Sequence, residues 1–436
     1  MNRTIKADLI LAGAAEVLTF RDVPRGRVHE AVETSTLRDA SVAVRCGKVV
    51  FVGDAATCRK RVRLKTSGEE IDCSGQVVLP GLIDAHTHLP FAGDRSHEFR
   101  LRLRGARYED IARAGGGILS TVRDTRAADE DELVEGCLRR MDRLLLHGVT
   151  QAEAKSGYGL TLKDEVRQLR AIARADRNHP VDLHATLLAA HVLPGEFAGR
   201  RAAYVELITS EIIPTVARRE LARFCDVFVE EGAFTVEEAR TILSAGVAHG
   251  LAPRLHVDQL SAAGGAELAA SLSAASADHL DHVSAAGIAA LAAAGTTAVI
   301  LPAATFFLRR RVYPPAIALM EAGVPVAIAT DCNPGTCMTE NLPLAATIAC
   351  LTTGMDTDEA LAGITIQAAR SLGLESTHGT LEPGRQADLA VFDVPERTDI
   401  LYHFGINHCR NVVKNGQVVV RDARRLPEPA VELETS

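Results

Sequence analysis

Eight apolar runs alternate with helix-like segments between residues 76 and 370, and this alternation constrains the fold more than any other feature. The helix-like segments include "DEDELVEGCLRRMDRLLLH", "LKDEVRQLRAIARAD" and "VSAAGIAALAAAG". Eight strands alternating with helices are typical of a TIM-type (β/α)8 barrel, which is an α/β fold. A doubly wound open sheet is the main alternative, but no G-x-G-x-x-G motif follows an early strand. The predicted strands are "QVVLPGLIDAHTH", "GVTQAEAKSGYG", "DLHATLLAAHV", "FCDVFVEEG", "RLHVDQ", "SADHLDH", "TTAVILPAA" and "VPVAIATDCN".

The two chain ends are rich in β-forming residues and resemble each other rather than the middle of the chain. "ASVAVRCGKVVFVGD" predicts a hairpin that turns at Gly47, and "RNVVKNGQVVVRD" predicts one that turns at Asn415 and Gly416. We therefore expect residues 1–75 and 371–436 to form a small β-sandwich together, and residues 76–370 to form the barrel.

The composition excludes several classes of partner. The formal net charge is −8, and an acidic surface attracts neither nucleic acid nor an anionic membrane. The nine cysteines are scattered without a C-x-x-C pair, which favours reduced thiols. "ADLILAGA" is predicted to be a first strand rather than part of a signal peptide, because Asp8 and Glu16 interrupt the apolar stretch. We expect a cytoplasmic protein, and its apolar content would allow a homodimer.

Polar residues cluster where the predicted strands end, which is the face that carries barrel active sites. His86 and His88 lie at the end of the first run and on the same side, because alternate residues of a strand point the same way. They can converge with His256 of the fifth run and Asp331 of the eighth. Such a set suits zinc or iron in a hydrolase, although His256 alone would equally suit a core histidine. The other polar residues at strand ends are Lys155, Tyr158, His191, Glu230 and His279.

A divalent metal held by these residues would provide the chemistry of a hydrolase. It lowers the pKa of a bound water to roughly 7, so that a nucleophile exists at neutral pH. Asp331 has one oxygen for the metal and another that can accept the water's proton. The sequence leaves open whether Lys155 or Glu230 also contacts that water.

Several motifs carry a resemblance to a known family. "PGLIDAHTH" and "ATDCNPG" resemble motifs of the amidohydrolase superfamily. "FAGDRSHEFRLRLRGARYEDIARAGGGILSTVRDTR", "AKSGYGL", "SADHL" and "TDCNPGT" are similar to the imidazolonepropionases within it, and the likeness covers nearly the whole chain. The resemblance implies a barrel with a β-sandwich built from both chain ends and one zinc or iron ion per chain. It also implies that the small molecule 4-imidazolone-5-propanoate is hydrolysed to N-formimidoyl-L-glutamate in histidine degradation.

Two features narrow this resemblance. Many members with two metals carry a carboxylated lysine on the fourth strand, whereas "FCDVFVEEG" has no lysine, which favours one metal. Members that deaminate rings typically carry H-x-x-E on the fifth strand, whereas this chain has "HVDQ", and Gln259 cannot shuttle a proton. The alternatives are another cyclic amidohydrolase with one metal, an azole deaminase, and a metal-free scaffold that is not an enzyme.

The resemblance also implies a role for each site residue. Arg95 would hold the propanoate through its guanidinium fork, although its arginine-rich segment taken alone would suit a solvated, ion-paired face. Gln259 stands where some members have Glu, and its amide can still bind a ring nitrogen. The implied catalytic residues are Asp331 and His279, with His279 beside the developing oxyanion. The implied metal ligands are His86, His88, His256 and Asp331, and the implied substrate contacts are Arg95, Tyr158, His191, Gln259, Asn333, Gly335 and Thr336.

Overall fold

The computed structural model describes residues 4–106 and 115–427. Its strands form a parallel barrel of eight strands and a mixed sheet of nine. The strands are β1 (Ile5–Leu18), β2 (Thr36–Arg45), β3 (Lys48–Asp54), β4 (Val62–Asp72), β5 (Val77–Pro80), β6 (Leu82–Asp84), β7 (Val149–Lys155), β8 (Asp182–Ala190), β9 (Phe224–Val229), β10 (Ala252–Val257), β11 (Ser276–His279), β12 (Thr297–Ile300), β13 (Val326–Ile328), β14 (Leu389–Phe392), β15 (Cys409–Lys414), β16 (Gln417–Arg421) and β17 (Arg424–Arg425).

The helices lie mainly between the barrel strands and cover the outside of the barrel. They are α1 (His29–Ser35), α2 (Ala55–Arg61), α3 (Ser96–Leu103), α4 (Ile118–Ala127), α5 (Glu130–Leu146), α6 (Leu162–Arg177), α7 (Arg201–Leu207), α8 (Ile213–Arg218), α9 (Val236–Ala248), α10 (Gly265–Ser271), α11 (Ala285–Ala294), α12 (Pro302–Phe307), α13 (Ala316–Glu321), α14 (Leu342–Thr353), α15 (Thr357–Gly363), α16 (Ile366–Ser371) and α17 (Asp399–Tyr402). A 3-10 turn spans Gly195–Phe197 and a π turn spans Ile208–Ile212.

The barrel contains β6 to β13 in chain order, and all neighbouring strands are parallel. Each predicted apolar run overlaps one of these strands, so the predicted barrel is confirmed. The first and last strand ends meet through the backbone. The amide of His88 donates to the carbonyl of Cys332 (3.0 Å), and the amide of Asp331 donates to the carbonyl of His86 (3.0 Å). This contact brings the H-x-H motif beside the end of the eighth barrel strand.

The three helices predicted from sequence are present as α5, α6 and α11. α5 shows why such a segment is helical. Asp129 accepts a hydrogen bond from the amide of Glu132 (2.9 Å), and Glu132 accepts one from the amide of Asp129 (2.9 Å). This capping box satisfies backbone donors that a helix start leaves free. The buried face of α5 recurs every three or four residues and includes Leu133, Cys137 and Leu144.

Both chain ends contribute to the mixed sheet, as the sequence predicts. β5 lies between β1 and β14, so it joins the N-terminal strands to the C-terminal ones. The predicted hairpin turns are confirmed at residues 46–47 and 415–416, where all four residues have positive φ: Cys46 (50°), Gly47 (73°), Asn415 (51°) and Gly416 (78°). Turns with two positive φ values match the twist of the strands they join.

The predicted first barrel strand, "GQVVLPGLIDA", is wrong as a single element. β5 pairs with β1 and β14 in the mixed sheet, whereas β6 pairs with β7 in the barrel. Gly81 separates them, and a Cβ there would lie 2.3 Å from Oγ1 of Thr150. The chain therefore passes close to the second barrel strand as it changes sheets. The predicted domain boundaries at residues 75 and 370 stay predictions.

The interior is divided between the two sheets. The largest hydrophobic cluster joins the barrel strands to their helices, and a smaller one, which includes Leu11, Val42 and Leu389, lies within the mixed sheet. All nine cysteines are free thiols. Among residues 4–106 and 115–427, no helix has the length and apolar character needed to cross a membrane.

Candidate active site and metal centre

The H-x-H motif lies just past the end of β6, at the carboxyl end of the barrel. Its two imidazoles point to the same side, with ring centroids 5.3 Å apart. Thr87, between them, points the other way and donates its hydroxyl to the carbonyl of Glu153 (2.6 Å). Oδ1 of Asp331 lies 3.5 Å from Nε2 of both histidines. The predicted convergence of these three side chains is therefore present.

His256 and His279 complete a buried cluster around His86. The ring centroid of His86 lies 4.5 Å from that of His256 and 5.7 Å from that of His279. Two groups of ligand atoms each lie within 4.8 Å of one another, and His86 belongs to both. One group is His86, His256 and His279, and the other is His86, His88 and Asp331. The structure thus places five candidate ligands at one point.

The hydrogen bonds of two imidazoles leave their inner nitrogens for a metal. Nδ1 of His86 lies 2.7 Å from Oδ2 of Asp278, and Nδ1 of His256 lies 3.1 Å from Oδ1 of Asp226. The Nε2 atoms of both histidines are buried and have no hydrogen-bond partner among the described residues. A carboxylate that holds one ring nitrogen while the other meets a metal is the usual support of histidine ligands. Histidine nitrogens with one aspartate oxygen therefore fit zinc or iron.

Burial favours the neutral form, which a metal requires, in three of the four imidazoles of the cluster, whereas the carboxylates of Asp278 and Asp331 outweigh burial at His86 and raise its pKa. Burial lowers the pKa of His88 and holds the pKa of His256 well below its ordinary value. Burial also lowers the pKa of His279 to about 4. These three rings are therefore neutral at neutral pH, and neutral imidazole is the form that binds a metal.

Lys155 lies beneath this cluster and is fully buried. Its Nζ lies 2.8 Å from carboxylate oxygens of Glu153 and Asp226, and 3.6 Å from Oδ2 of Asp278. Burial opposes the charge on Lys155, but Asp226 and Glu153 outweigh it and raise the pKa of the lysine above its usual value. Lys155 is therefore an ion-pair partner of the carboxylates that hold His86 and His256.

Glu230 is the other residue for which the sequence leaves a contact with the metal-bound water undecided, and it also has hydrogen-bond partners. Its carboxylate accepts hydrogen bonds from the amides of Leu260 (2.8 Å) and Glu231 (3.0 Å), and from the hydroxyl of Ser261. Glu230 thus fixes the loop that follows β10.

The formal charges of the buried network fit a divalent cation. Arg254, which is fully buried, lies 3.5 Å from Asp278 and 3.9 Å from Glu153. Four carboxylates therefore face two cations, which leaves two negative charges without a counter-charge in this group. Its members are Glu153, Asp226, Asp278, Asp331, Lys155 and Arg254.

Sequence reasoning missed the residues that support the histidines. Asp226 lies inside the apolar run "FCDVFV", and Asp278 directly precedes His279. A single carboxylate within an apolar strand is a signal that could have found Asp226, since a buried charge needs a partner. Nothing local marks Glu153 or Arg254.

Two site residues have a strained backbone. Asp331 has φ 53° and His279 has φ 77°, which is the left-handed region that non-glycine residues rarely occupy. Such conformations persist where the surrounding structure fixes them, often at functional sites. Beside Asp331, the hydroxyl of Thr336 donates to its Oδ2 (3.1 Å). Asn333 folds the same loop, because its Oδ1 accepts from the amides of Gly335 and Thr336 (2.8 Å each).

Most of the implied substrate contacts lie around the same cluster. The ring centroid of His88 lies 5.3 Å from that of His191 and 5.9 Å from that of Tyr158. Nδ1 of His191 lies 3.1 Å from the carbonyl of Gly157. Gln259 is half-buried on the loop after β10.

Arg95 enters the mouth of the barrel rather than a solvated face. Its side chain is 8% exposed, and its Nε donates to Oε2 of Glu98 (2.8 Å). A Cβ at Gly335 would lie 2.1 Å from Nη1 of Arg95, so the absence of a side chain there allows the guanidinium to approach the loop of Asp331. Glu98 also accepts from the amide of Gly117 (2.8 Å).

A (β/α)8 barrel with buried histidines and an aspartate at its carboxyl end has the architecture of a metal-dependent hydrolase. The model of the Amidohydrolase family matches residues 77–419. The imidazolonepropionase of Myxococcus xanthus is 50% identical over 414 residues, which cover 95% of this chain and 97% of that protein. The imidazolonepropionase of Symbiobacterium thermophilum is 45% identical, with 96% and 98% covered. The chain belongs to the amidohydrolase family and, within it, to the imidazolonepropionases.

Solved structures agree with the fold. A triazine hydrolase variant superposes with a TM-score of 0.75 at 19% identity, over 97% of this chain and 96% of that one. An adenosine deaminase from Xanthomonas campestris with bound zinc superposes with a TM-score of 0.70 at 19% identity, over 98% and 96%. At these identities the likeness shows the fold alone. Family membership and the cluster of five donors together indicate a metal ion at this site.

Proposed function

We propose that this protein hydrolyses 4-imidazolone-5-propanoate to N-formimidoyl-L-glutamate in histidine degradation. The observation that carries the proposal is the identity of 45–50% to imidazolonepropionases along most of the chain. The buried donor cluster, with Arg95 beside it, supplies a site that suits this chemistry.

One zinc or iron ion per chain is the proposed cofactor, held by His86, His88, His256 and Asp331. The ion supplies a water of lowered pKa, roughly 7, as the nucleophile. The hydrogen bonds of His86 to Asp278 and of His256 to Asp226 support this choice, because they hold both Nε2 atoms towards one point.

Asp331 is the proposed proton carrier. Burial alone would raise the pKa of Asp331, but the imidazoles of His86 and His88, whose Nε2 atoms lie 3.5 Å from its Oδ1, hold that pKa well below its ordinary value. The carboxylate is therefore ionised and can accept a proton before passing it to the ring nitrogen that leaves. Thr336, which donates to Oδ2, keeps this group in one orientation.

The substrate is oriented by groups that match its two ends. Arg95 is proposed to bind the propanoate with its remaining guanidinium donors, and Tyr158 to add its hydroxyl. Gln259 can donate to one ring atom and accept from another. His279, as a neutral imidazole, can donate a hydrogen bond to the developing oxyanion. His191, Asn333, Gly335 and Thr336 are proposed to complete this contact surface.

The test is a direct assay with freshly generated substrate. Purified protein should remove the ultraviolet absorbance of 4-imidazolone-5-propanoate, and formimidoylglutamate should accumulate in equal amount. A chelator should abolish turnover, and added zinc or iron should restore it. Metal analysis near one equivalent per chain supports the single-metal centre, whereas two equivalents would contradict it. Release of ammonia without ring opening would favour a deaminase instead.

We propose three further properties from the composition and the sequence pattern. The free cysteines suit the reducing cytoplasm. We also propose a homodimer, and a barrel domain of residues 76–370 between two parts of a β-sandwich domain, residues 1–75 and 371–436.

A further inference from the structure

An arginine-rich rim lies beside the mouth of the barrel, although the chain as a whole carries a formal charge of −8. Two segments form it: α3, which begins directly after Arg95, and residues 309–311, which closely follow α12. We use "arginine rim" for Arg100, Arg102, Arg104, Arg309, Arg310 and Arg311, of which all but the half-buried Arg102 are exposed. Arg107, in the same basic stretch of sequence, lies outside the described residues.

Aromatic contacts hold the two segments of the rim together. The rings of Phe99 and Phe307 stack with centroids 4.9 Å apart, and Cζ of Arg102 lies 5.4 Å from the centroid of Phe307. The groove between the segments is lined by Phe99, Leu103, Phe306, Phe307, Arg309, Arg310 and Tyr313. The positive charges of the two segments therefore contribute to the electrostatic potential of the same groove.

Both segments connect directly to the proposed site. Arg95 immediately precedes α3, and its Nη1 lies against Gly335 in the loop after Asp331. At the other segment, the hydroxyl of Thr305 donates to Oδ1 of Asp281 (2.6 Å), two residues beyond His279. The arginine rim thus stands at the entrance to the donor cluster.

Among the described residues, no acidic side chain forms an ion pair with the second segment of the rim, residues 309–311. Glu98 pairs with Arg95, and Asp281 is buried behind Thr305. The charge of residues 309–311 therefore extends into the solvent at the mouth.

We propose that the arginine rim concentrates the anionic substrate at the mouth of the barrel, from which Arg95 receives its carboxylate. The inference rests on the proposed function, because the propanoate supplies the negative charge. Like charges grouped beside a cleft raise the local concentration of an oppositely charged ligand. The chain as a whole carries a net negative charge, so its overall charge does not attract the same ligand. Salt weakens such attraction, since the screening length is about 10 Å at 0.1 M ionic strength.

The chain offers a matched pair of variants for the test. R309Q/R310Q/R311Q removes three consecutive exposed charges from the rim. R59Q/K60Q/R61Q removes three consecutive exposed charges from α2, beside the mixed sheet. Both triple variants lower the net charge by the same amount. A difference between their kcat/KM values therefore depends on where the removed charges lie and not on how many were removed. We would measure kcat and kcat/KM on 4-imidazolone-5-propanoate from about 10 mM to about 300 mM salt, where the screening length falls several-fold.

The expected result is that the rim variant loses kcat/KM only at low salt. The rim variant should have a kcat/KM about 3–10-fold below that of the wild type at low salt, with kcat unchanged and the values converging at high salt. The α2 variant should follow the wild type throughout. An imidazolone without the propanoate should show neither the salt dependence nor the loss. If the triple variant does not fold, R100Q/R104Q on α3 tests the same charge field.

Two results would overturn the proposal, and they differ from each other. Equal kcat/KM for the rim variant and the α2 variant across the salt range would remove the role of the rim while leaving the proposed function intact. Absence of any hydrolysis by the metal-loaded wild type would instead remove the proposed function, and this inference with it.

Discussion

Two buried lysines make the same local contacts at opposite ends of the barrel. Nζ of Lys155, at the end of β7, lies 2.8 Å from carboxylate oxygens of both Glu153 and Asp226. Nζ of Lys414, at the end of β15, lies 2.6 Å from Asp182 and 2.7 Å from Asp388. Each ammonium is thus buried and held between two carboxylates, although Asp182 is itself partly exposed.

The carboxylates around the two lysines lead to different places. Those around Lys155 continue to His86 and His256 at the carboxyl end of the barrel. Those around Lys414 join Asp182, where β8 begins, to Asp388, just before β14 of the mixed sheet. The first network supports the donor cluster. The second joins the mixed sheet to the amino-terminal end of the barrel, where the barrel strands begin. Similar ion-pair chemistry therefore supports the proposed metal site at one end of the barrel and joins the two sheets at the other, in agreement with the division between catalytic and stabilising ends that is general for this fold.

The largest expected contrast comes from one aspartate at each end. Asp331→Asn keeps an oxygen ligand but removes the proton acceptor, so turnover should fall by ~100-fold or more with metal partly retained. Asp388→Asn, at the amino-terminal end, should retain near-normal kcat. Its midpoint of unfolding should be lower, because Lys414 loses one of its two carboxylate partners. Assays of turnover, metal content and denaturation on both proteins make the comparison. Full activity in Asp331→Asn would remove that residue from the mechanism.

Replacing each lysine by methionine tests the comparison itself. Lys155→Met leaves buried carboxylates unpaired and should cost about 3–5 kcal/mol of unfolding free energy. The dissociation constant for the metal should also rise by about 10–100-fold, because the carboxylates that orient the histidine ligands lose their ion-pair partner. Lys414→Met should cost less, about 1–3 kcal/mol, since Asp182 is 47% exposed. Its metal affinity, measured by chelator competition, should equal that of the wild type.

If both lysine variants weaken metal binding equally, the two ends of the barrel are not functionally separate. Where Lys155→Met is too unstable to purify, the pair Glu153→Gln with Lys155→Met keeps the net charge of the network and permits the same measurement.

Replacing Arg95 tests substrate binding separately from metal binding at the carboxyl end of the barrel. Arg95→Met should lower kcat/KM by about 2–5 kcal/mol of transition-state stabilisation, because the substrate's carboxylate loses its charged partner. Metal content should be unchanged, since Arg95 contacts Glu98 and Gly335 rather than a proposed ligand. A substrate without the propanoate should barely distinguish the variant from the wild type. Equal losses on both substrates would make Arg95 structural.

Gln259 is expected to give the smallest effect at the catalytic end. Gln259→Leu should weaken binding by about 1–3 kcal/mol, because it leaves polar ring atoms without partners. Gln259→Glu should retain measurable activity, since a carboxylate can still accept from the ring. Steady-state kinetics on both variants give the answer, and normal kinetics in the leucine variant would place Gln259 outside the substrate contacts.

Periodicity and turn residues were sufficient to predict most of the fold. The eight runs follow the barrel pattern, and Asn415 with Gly416 marks a hairpin by local chemistry. The break at Gly81 could not be predicted, because it depends on the approach of Thr150 from a distant part of the sequence. The same limit applies to any element whose partner is decided by packing rather than by its own residues.

The donor cluster could be predicted, whereas its support was predictable only in part. His86, His88 and Asp331 lie just past strand ends and His256 is the penultimate residue of β10, and the carboxyl ends of the strands meet at one face in any barrel. Lys155, Asp226 and Asp278 lie on β7, β9 and β11, which are alternate barrel strands. Inward side chains of alternate strands share a layer, so these residues could have been grouped by that rule. Their individual pairings depend on register, which the sequence does not specify.

The position of β5 between β1 and β14 has a consequence for synthesis of the chain. One edge of β5 is complete only when residues 389–392 have been made, roughly 300 residues after β5 itself. At about 5–20 residues per second, that edge waits on the order of 15–60 s for its partner. Through this interval the nascent chain carries an open strand edge, which can pair with another chain. Protection during translation, by a chaperone or by the growing barrel beside it, is therefore a requirement that this topology places on the cell.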